Sequence, residues 1–231
     1  MDSLITKQEI EKFRIPTDFI KWFEAYLEKT RLDKTFRRQI LLRKGIAKEI
    51  YEEIFPLYRF LQFFGIHWST TAFMNRLGSQ NYDVEVHPKE FAPFEYIEIT
   101  VADASHEEFL RNTVLVDKGH VSAIGKVSHS GTKQTGKSIH VCNDFRSHAE
   151  LNNEKKIAIK SAIHRKLQNT YPPQTALLIY FTDYVAFADE DDQLDMKLFI
   201  TELGTTWEST FCALYIIGAS GRRGWMKIKG A

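Results

Sequence analysis

Cysteine is scarce in this sequence, and the two that are present lie far apart. Cys142 and Cys212 do not have the spacing of a zinc site, so the sequence offers neither a disulfide framework nor a structural zinc. No apolar run approaches the ~18 residues that a membrane span needs, and the first residues lack the apolar core of a secretion signal. We therefore expect a cytoplasmic protein without membrane contact.

Net charge and several catalytic patterns are also missing. Lysine and arginine number 31 against 30 aspartates and glutamates, a net charge of +1. This balance leaves nucleic-acid binding open, since a basic cleft can lie within a neutral total. The 8 histidines lack zinc-protease spacing and no serine lies in a nucleophile elbow, so a Ser-His-Asp hydrolase has no support. Helix-turn-helix and zinc-finger patterns are absent too, so sequence-specific base recognition cannot be argued.

Hydrophobic residues are abundant and predict a packed core with a helical beginning. They make up 43% of the chain, and aromatic residues make up 13%. Residues 1–64 have helical spacing: one helix is predicted to begin with Thr17 as its N-cap, and another to run from Gly45 to Phe64 with a kink at Pro56. Residues 1–44 are therefore predicted to be a helical N-terminal extension, and residues 45–231 an α/β domain.

After Gly65 the pattern changes to one of strands. The segments "HWSTTAFMNRLG", "YDVEVH" and "YIEITVA" predict three strands. A long amphipathic helix is predicted over about Glu150 to Asn169, and the apolar "TALLIYFTD" after it is typical of a strand buried on both faces. A helix near "DQLDMKLFITELGTTW" and a strand at "CALYIIGAS" follow. The order of helix, three strands, helix, strand, helix and strand predicts a mixed α/β or α+β layer fold.

A familiar motif lies between two further strand-like segments. "GTKQTGKS", Gly131 to Ser138, fits the phosphate-binding loop pattern G-x-x-x-x-G-K-[ST]. Such a loop follows a buried strand and opens a helix, but here polar "GKVSHS" precedes the motif and strand-like "IHVCNDF" follows it. We interpret the motif as a hairpin tip, where glycines allow the turn and Lys133 and Lys137 keep it soluble. Nucleotide hydrolysis through this loop is the alternative.

Acidic residues occupy two of the predicted strands. Because alternate residues of a strand face the same way, Glu98 shares a face with Thr100, and Asp83 shares a face with Glu85. The separation of Asp83 and Glu98 suits two antiparallel strands. Acids flanked by apolar residues are costly to bury unless they are paired or bound to a cation. Two carboxylates that converge from neighbouring strands therefore predict a site for a divalent metal such as Mg²⁺.

An acid at the end of one strand, followed by an acid-x-basic triplet on the next, is typical of the PD-(D/E)xK nuclease superfamily, which this sequence resembles. The run from "IEIT" through "GTKQTGKSIHV" to "IKSAIHRKLQNTYPPQTALLIY" looks like a group of little-characterised bacterial proteins of that superfamily. The resemblance covers about Gly45 to Gly218. It implies a restriction-endonuclease-like fold and a nuclease that cleaves DNA with Mg²⁺ or Mn²⁺.

The resemblance assigns roles to four acids. Asp83 matches the first acid and Glu98 the acid of the triplet, which in this superfamily hold Mg²⁺ beside the scissile phosphate. A helix acid often assists, and Glu49 or Glu53 could fill that place, since they lie four residues apart on one helix face. The plainer alternatives are a surface acid at Glu98, a turn cap at Asp83 and an ordinary charged helix surface for the other two.

Thr100 departs from the superfamily pattern, which expects lysine at this position. Lysine there positions the attacking water and offsets charge on the phosphate, and threonine has no charge with which to do so. Lys166 offers a replacement, because it projects from the apolar side of the long helix and either enters the site or extends along its stem into solvent. The superfamily includes such migrations. The alternative is a catalytically inactive module with a binding or scaffold role.

Basic residues in three places could contact DNA phosphates. The last of these places is "GRRGWMKIKG", where Trp225 could stack on a base; a solvated tail is the alternative there. A homodimer is also left open by the sequence. The basic candidates are Lys133 and Lys137 on the hairpin, Arg37, Arg38 and Arg43 before the first core helix, and Arg222 and Arg223 near the end.

Overall fold

The chain folds into a mixed α/β structure, which confirms the fold class that the order of elements predicts. The computed structural model describes residues 5–87, 92–103, 105–122, 126–131, 138–142, 146–184, 186–187 and 190–230. None of the helices in these ranges has the length and the apolar composition of a membrane span.

Most of the helices precede the sheet, and the others lie between its strands. The α-helices are α1 (Lys7–Ile10), α2 (Pro16–Thr30), α3 (Lys34–Leu41), α4 (Ile46–Glu49), α5 (Phe55–Phe64), α6 (Ser105–Lys118), α7 (His148–Lys166) and α8 (Glu190–Glu202). A π-helix, Ile50–Ile54, joins α4 to α5, and short 3-10 helices cover Gly65–Trp68 and Thr206–Ser209.

Six strands form the main sheet, and two form a separate hairpin. The strands are β1 (Ala72–Asn75), β2 (Val84–His87), β3 (Tyr96–Val101), β4 (Val127–Ser130), β5 (Ser138–Val141), β6 (Thr175–Phe181), β7 (Ala213–Gly218) and β8 (Gly224–Ile228). The main sheet has the order β1-β2-β3-β6-β7-β8. The first three strands form an antiparallel meander, β3, β6 and β7 run parallel, and β8 is antiparallel to β7.

Two hydrophobic clusters cover the two faces of the sheet. On one face, residues of α2 and α5 pack with Ile97, Leu178 and Tyr215. On the other, residues of α7 and α8 pack with Leu177 and Ile179. Every residue of β6 and of β7 is buried, which confirms the prediction of a strand covered on both faces. The buried face next to α7 is where the candidate site lies.

Two details of the helical region differ from the prediction. Helix α2 begins at Pro16 with Ile15 in the N-cap position, so Thr17 is not its cap; proline suits the first helical position because its missing N–H has no partner there. Instead of a kinked α-helix, the π-helix Ile50–Ile54 precedes Pro56. A proline ring crowds the carbonyl one turn earlier, and the wider π turn accommodates it.

Helix α6 and strand β8 are absent from the predicted elements. Strand β8 covers the segment for which a solvated tail is the alternative, and Trp225 within it lies 6.3 Å from Phe181 between ring centroids. Met226 and Ile228 remain exposed. An edge strand buries only part of its surface, so its sequence carries too weak an alternation to separate it from a polar tail; pairing with β7 supplies the rest.

The phosphate-loop-like motif lies at a β-hairpin, as we predict. Strands β4 and β5 pair antiparallel, with Ser130 opposite Ser138. Gly131 has a φ of 86°, in the left-handed region that glycine favours. Ser138 begins a strand, whereas a phosphate-binding loop would open a helix at this point. Lys133 and Lys137 lie outside the described residues.

Candidate functional site

Two carboxylates meet where β2 and β3 pair. Asp83 comes directly before β2; its backbone N–H donates to the Ile97 carbonyl at 2.9 Å, and its Oδ2 accepts from the Ile99 N–H at 2.7 Å. Since Val84 is opposite Ile97 in the antiparallel register, Asp83 faces Glu98 on the α7 side of the sheet. Glu98 is only 7% exposed. The predicted convergence of these two acids is therefore present.

The C-terminal turn of α7 brings two cations to β3. Lys166 Nζ donates to Glu98 Oε1 as an ion pair, so its ammonium points into the site and not into solvent. Arg165 Nη2 donates to the hydroxyl of Thr100 at 3.1 Å. A guanidinium thus lies at the position where the superfamily pattern has its own lysine. Arg165 is not among the predicted site residues, because the helical angle places it about 100° from Lys166 and only its long side chain reaches the strand.

The two acids of the first core helix lie beside Asp83. Glu53 belongs to the π-helix, and its Oε2 is buried without a hydrogen-bond partner in the described part of the chain. Its side chain interacts with Glu49 and feels the charge of Asp83. The structure therefore brings together all four acids of the prediction: Glu49, Glu53, Asp83 and Glu98.

Burial and mutual repulsion shift the ionisation of this cluster. Burial and the charge of Glu98 raise the pKa of Asp83 to about 7. Burial, Asp83 and a hydrogen bond with Glu49 raise the pKa of Glu53 to about 10. The pKa of Glu98 is also raised, by burial that its Lys166 contact only partly offsets. Like charges brought close in a poorly solvated site resist simultaneous ionisation, so the cluster holds protons that a cation could displace.

A polar cavity of about 310 Å³ opens beside these groups. It receives charged side chains of both signs from the helices and from the ends of β2 and β3. A cavity of this size is at the lower end of small-ligand pockets, which start at ~300 Å³. Its lining residues are Arg43, Glu52, Glu53, Asp83, Ile99, Thr100, Val101, Asp103, Arg165 and Lys166.

Arg43 is held in the wall of the cavity by three neighbours. It forms an ion pair with Asp103, lies 3.6 Å from Glu52, and stacks its guanidinium 4.8 Å above the ring of Tyr51. Its backbone has a φ of 48°, a conformation that costs on the order of 1 kcal/mol and is kept where surrounding contacts demand it. The sequence identifies Arg43 only as a general basic candidate, because the Asp103 contact spans 60 positions.

The C-terminal arginines of the prediction lie elsewhere. Arg223 donates to the carboxylate of Asp183 at 3.3 Å and to the Ala186 carbonyl at 3.2 Å, so its guanidinium ties loops together. Arg222 is exposed. Neither residue lines the polar cavity.

The arrangement can bind a cation through carboxylate oxygens and a phosphate through lysine and arginine. Oxygen-only donors suit hard divalent ions such as Mg²⁺ and Mn²⁺. Among the described residues, no group of three or more His, Cys, Asp and Glu side chains is arranged to hold a metal ion by itself. Mg²⁺ commonly takes one or two carboxylates and completes its shell with water and substrate phosphate.

Comparisons with known proteins give no family for this chain. No family model, no curated protein and no solved structure matches it. What the site does must therefore be inferred from its own residues.

Proposed function

We propose that this protein is a metal-dependent phosphodiesterase that cleaves DNA, built on a restriction-endonuclease-like core. The sheet supports the proposal: an antiparallel meander β1-β2-β3, then helix α7 and β6 parallel to β3, follows the element order that the resemblance implies, with α6 and the β4-β5 hairpin inserted after β3. The observation that carries the proposal is the meeting of Asp83 with Glu98 and Lys166. Asp83 and Lys166 line one cavity together with Glu53.

The acids of the site suit a divalent cation. Glu53 has a buried oxygen without a partner in the described residues, and repulsion from Glu98 helps to keep the pKa of Asp83 near 7. A bound cation would give the Glu53 oxygen a partner and would offset the repulsion between Asp83 and Glu98. Asp83 and Glu98 would hold Mg²⁺ or Mn²⁺, with Glu53 assisting, and the bound ion would supply Lewis-acid activation of the phosphate and its attacking water.

The chain's own cations would bind and polarise the phosphate. Lys166 reaches the site from α7 and fills the role of the missing strand lysine, which is to orient water and offset charge on the phosphate. Arg165, held through Thr100, adds a second donor at the same strand. Arg43 is held by Asp103 in the wall of the cavity, where its guanidinium can donate two N–H groups to a pair of phosphate oxygens.

A catalytically inactive binding module is the second candidate, and a specific contact favours it. Lys166 already occupies one oxygen of Glu98, and a lysine that only neutralises an acid has no need of a metal. In that case the site would bind a polyanion or a protein without cutting it.

Cleavage of plasmid and single-stranded DNA tests the proposal. With Mg²⁺ or Mn²⁺ we expect wild-type cutting and a loss of about 100-fold or more in Glu98→Gln, because even the residues that only orient metal ligands cost about 10- to 100-fold when they are lost. Glu85→Gln is the matched control, since Glu85 lies on the next strand and contacts Arg76 and His87 instead. Equal cutting by wild type and Glu98→Gln would contradict the assignment.

A metal titration separates the two candidates. The nuclease predicts that Mn²⁺ binds the wild type and binds Glu98→Gln more weakly. A wild type that neither binds Mn²⁺ nor cuts DNA would favour the inactive module.

A further inference from the structure

A second cavity lies next to the first, at the carboxyl ends of β3 and β6. Its volume is about 260 Å³, and it shares Asp103 with the first cavity. Helix α7 borders both, because Arg165 and Lys166 line the first and Lys155 lines the second. The lining residues of the second cavity are Asp103, Glu107, Glu108, Arg111, Arg146, Leu151, Glu154, Lys155, Ala158, Thr182 and Tyr184.

The acids of this second cavity already have arginine partners. Arg43 pairs with Asp103, and the other three acids pair with the two arginines of the cavity wall. Their charges are therefore largely compensated before any ligand binds. The remaining pairs are Arg111 with Glu107 and Glu108, and Arg146 with Glu107 and Glu154.

Lys155 is different from these arginines. Its side chain is half-buried, and no carboxylate of the described chain forms a salt bridge with it; Glu108, Asp103 and Glu154 act on it only at longer range. Burial lowers the pKa of Lys155 despite those acids. A poorly solvated ammonium without an ion pair costs stability, and such a cost is typical of a group that serves a ligand.

Lys155 and Lys166 share one face of α7. They are eleven positions apart, which is three turns plus about 20° and about 16 Å along the helix axis. That face looks onto the sheet, since Ile159 and Ala162 between them are buried against it. A strand bound at both lysines would run through the two cavities, past Asp103, which lines both, and Arg43, which lines the first.

We propose that Lys155 binds a phosphate of a single DNA strand, a few nucleotides from the phosphate held at Glu98 and Lys166. This inference rests on the proposed function, and it names the substrate class: an unpaired strand long enough to reach both cavities.

Binding of short oligonucleotides, with Ca²⁺ in place of Mg²⁺ to prevent cutting, tests the inference. Fluorescence anisotropy would compare a labelled dinucleotide with a labelled octanucleotide of single-stranded DNA. We expect Lys155→Met to weaken octanucleotide binding about tenfold and to reduce the slope of log K against log salt by about 0.7, the value for one lost phosphate contact on a single strand. Dinucleotide binding should stay unchanged.

Lys160→Met is the matched control. It removes the same charge from the same helix, but Lys160 lies over the ring of Phe199 on the α8 side, 5.3 Å from its centroid. If Lys155→Met and Lys160→Met bind the octanucleotide equally, the phosphate site is wrong, whatever the cleavage assay gives. Cleavage that is lost in Glu98→Gln would still uphold the proposed function in that case. A wild type that binds neither oligonucleotide would overturn the strand site, and its lack of cleavage would overturn the function separately.

Thermal melting checks that the Lys155→Met variant is folded. Because Lys155 carries a poorly solvated charge, Lys155→Met should melt at the same temperature as the wild type or a few degrees higher. A lower melting temperature would mean that Lys155 stabilises the fold through its acidic neighbours, and would contradict the inference.

Discussion

Asp183 and Asp83 are both aspartates at strand ends, and their surroundings are opposite. Asp183 follows β6 and is 1% exposed; it accepts from the Ser220 N–H at 2.8 Å, from the Ser220 hydroxyl at 2.7 Å and from Arg223 at 3.3 Å. Asp83 accepts one backbone N–H and faces Glu98. The first carboxylate is fully satisfied and holds loops together. Among the described residues the second forms no salt bridge and feels the charge of Lys166 only at longer range, and this deficit marks a binding site.

Gly218 shows how closely the structural aspartate is packed. A Cβ at this position would collide with both the Oδ2 and the Cγ of Asp183. Only glycine therefore lets the end of β7 approach Asp183. Around Asp83, by contrast, the cavity leaves room for a ligand. A pair of substitutions, one at each aspartate, should separate a carboxylate that stabilises the fold from one that stabilises a ligand.

Asp183→Asn should have the larger effect on stability. The variant leaves the guanidinium of Arg223 half-buried without its carboxylate, and breaking a buried pair in this way costs about 3 kcal/mol. We expect a midpoint of urea unfolding well below that of the wild type, with an unchanged denaturant slope. DNA cleavage per folded molecule should be retained, and a selective loss of cleavage in a stably folded variant would contradict the comparison.

Asp83→Asn should raise stability and abolish cleavage, the reverse of what we expect for Asp183→Asn. Asparagine keeps an acceptor for the Ile99 N–H and removes a charge that Glu98 repels. We expect a melting temperature about 3 °C higher, which corresponds to about 1 kcal/mol in a chain of this size, together with loss of metal-dependent cleavage. A variant that is both destabilised and active would show that Asp83 is structural, like Asp183.

Strand alternation and helix periodicity predict the Asp83 side of this comparison. They place Asp83 opposite Glu98, and they direct Lys166 toward the sheet, because both patterns depend only on neighbours along the chain. They do not identify Arg165, whose contact depends on the reach of a flexible side chain. They also miss the Asp183 cluster, since Ser220 and Arg223 reach it across a turn that local spacing does not predict.

The same limit applies to the acids of the first core helix. Four-residue spacing places Glu49 and Glu53 on one face, but an ordinary charged surface has the same spacing. Their burial against Asp83 depends on the π-helix, which follows from Pro56 and the packing around it. Sequence therefore supplies candidate acids, and tertiary packing decides which of them repel one another.

The last predicted effect is a pH dependence of stability that distinguishes the repelling acids from the rest. In the folded protein the pKa of Asp83 rises from 3.8 to about 7, and that of Glu53 from 4.5 to about 10. Because these raised values mean that the folded state binds more protons than the unfolded state, stability falls as pH rises above the unfolded values and through the folded ones. Wild type should therefore melt at a lower temperature at about pH 8 than at about pH 5, relative to Asp83→Asn/Glu53→Gln.

The double variant is the reference that removes all other titrating groups from the comparison. At the higher pH, Mg²⁺ should reduce the difference in melting temperature between wild type and the double variant, because a cation binds the ionised carboxylates and offsets their repulsion. Differential scanning calorimetry of both proteins, with and without Mg²⁺, measures this directly. Parallel pH profiles for wild type and variant would mean that the acids do not repel one another in the folded state. If Mg²⁺ leaves the difference in melting temperature between the two proteins unchanged, the acids do repel one another, but no metal binds at Asp83 and Glu53.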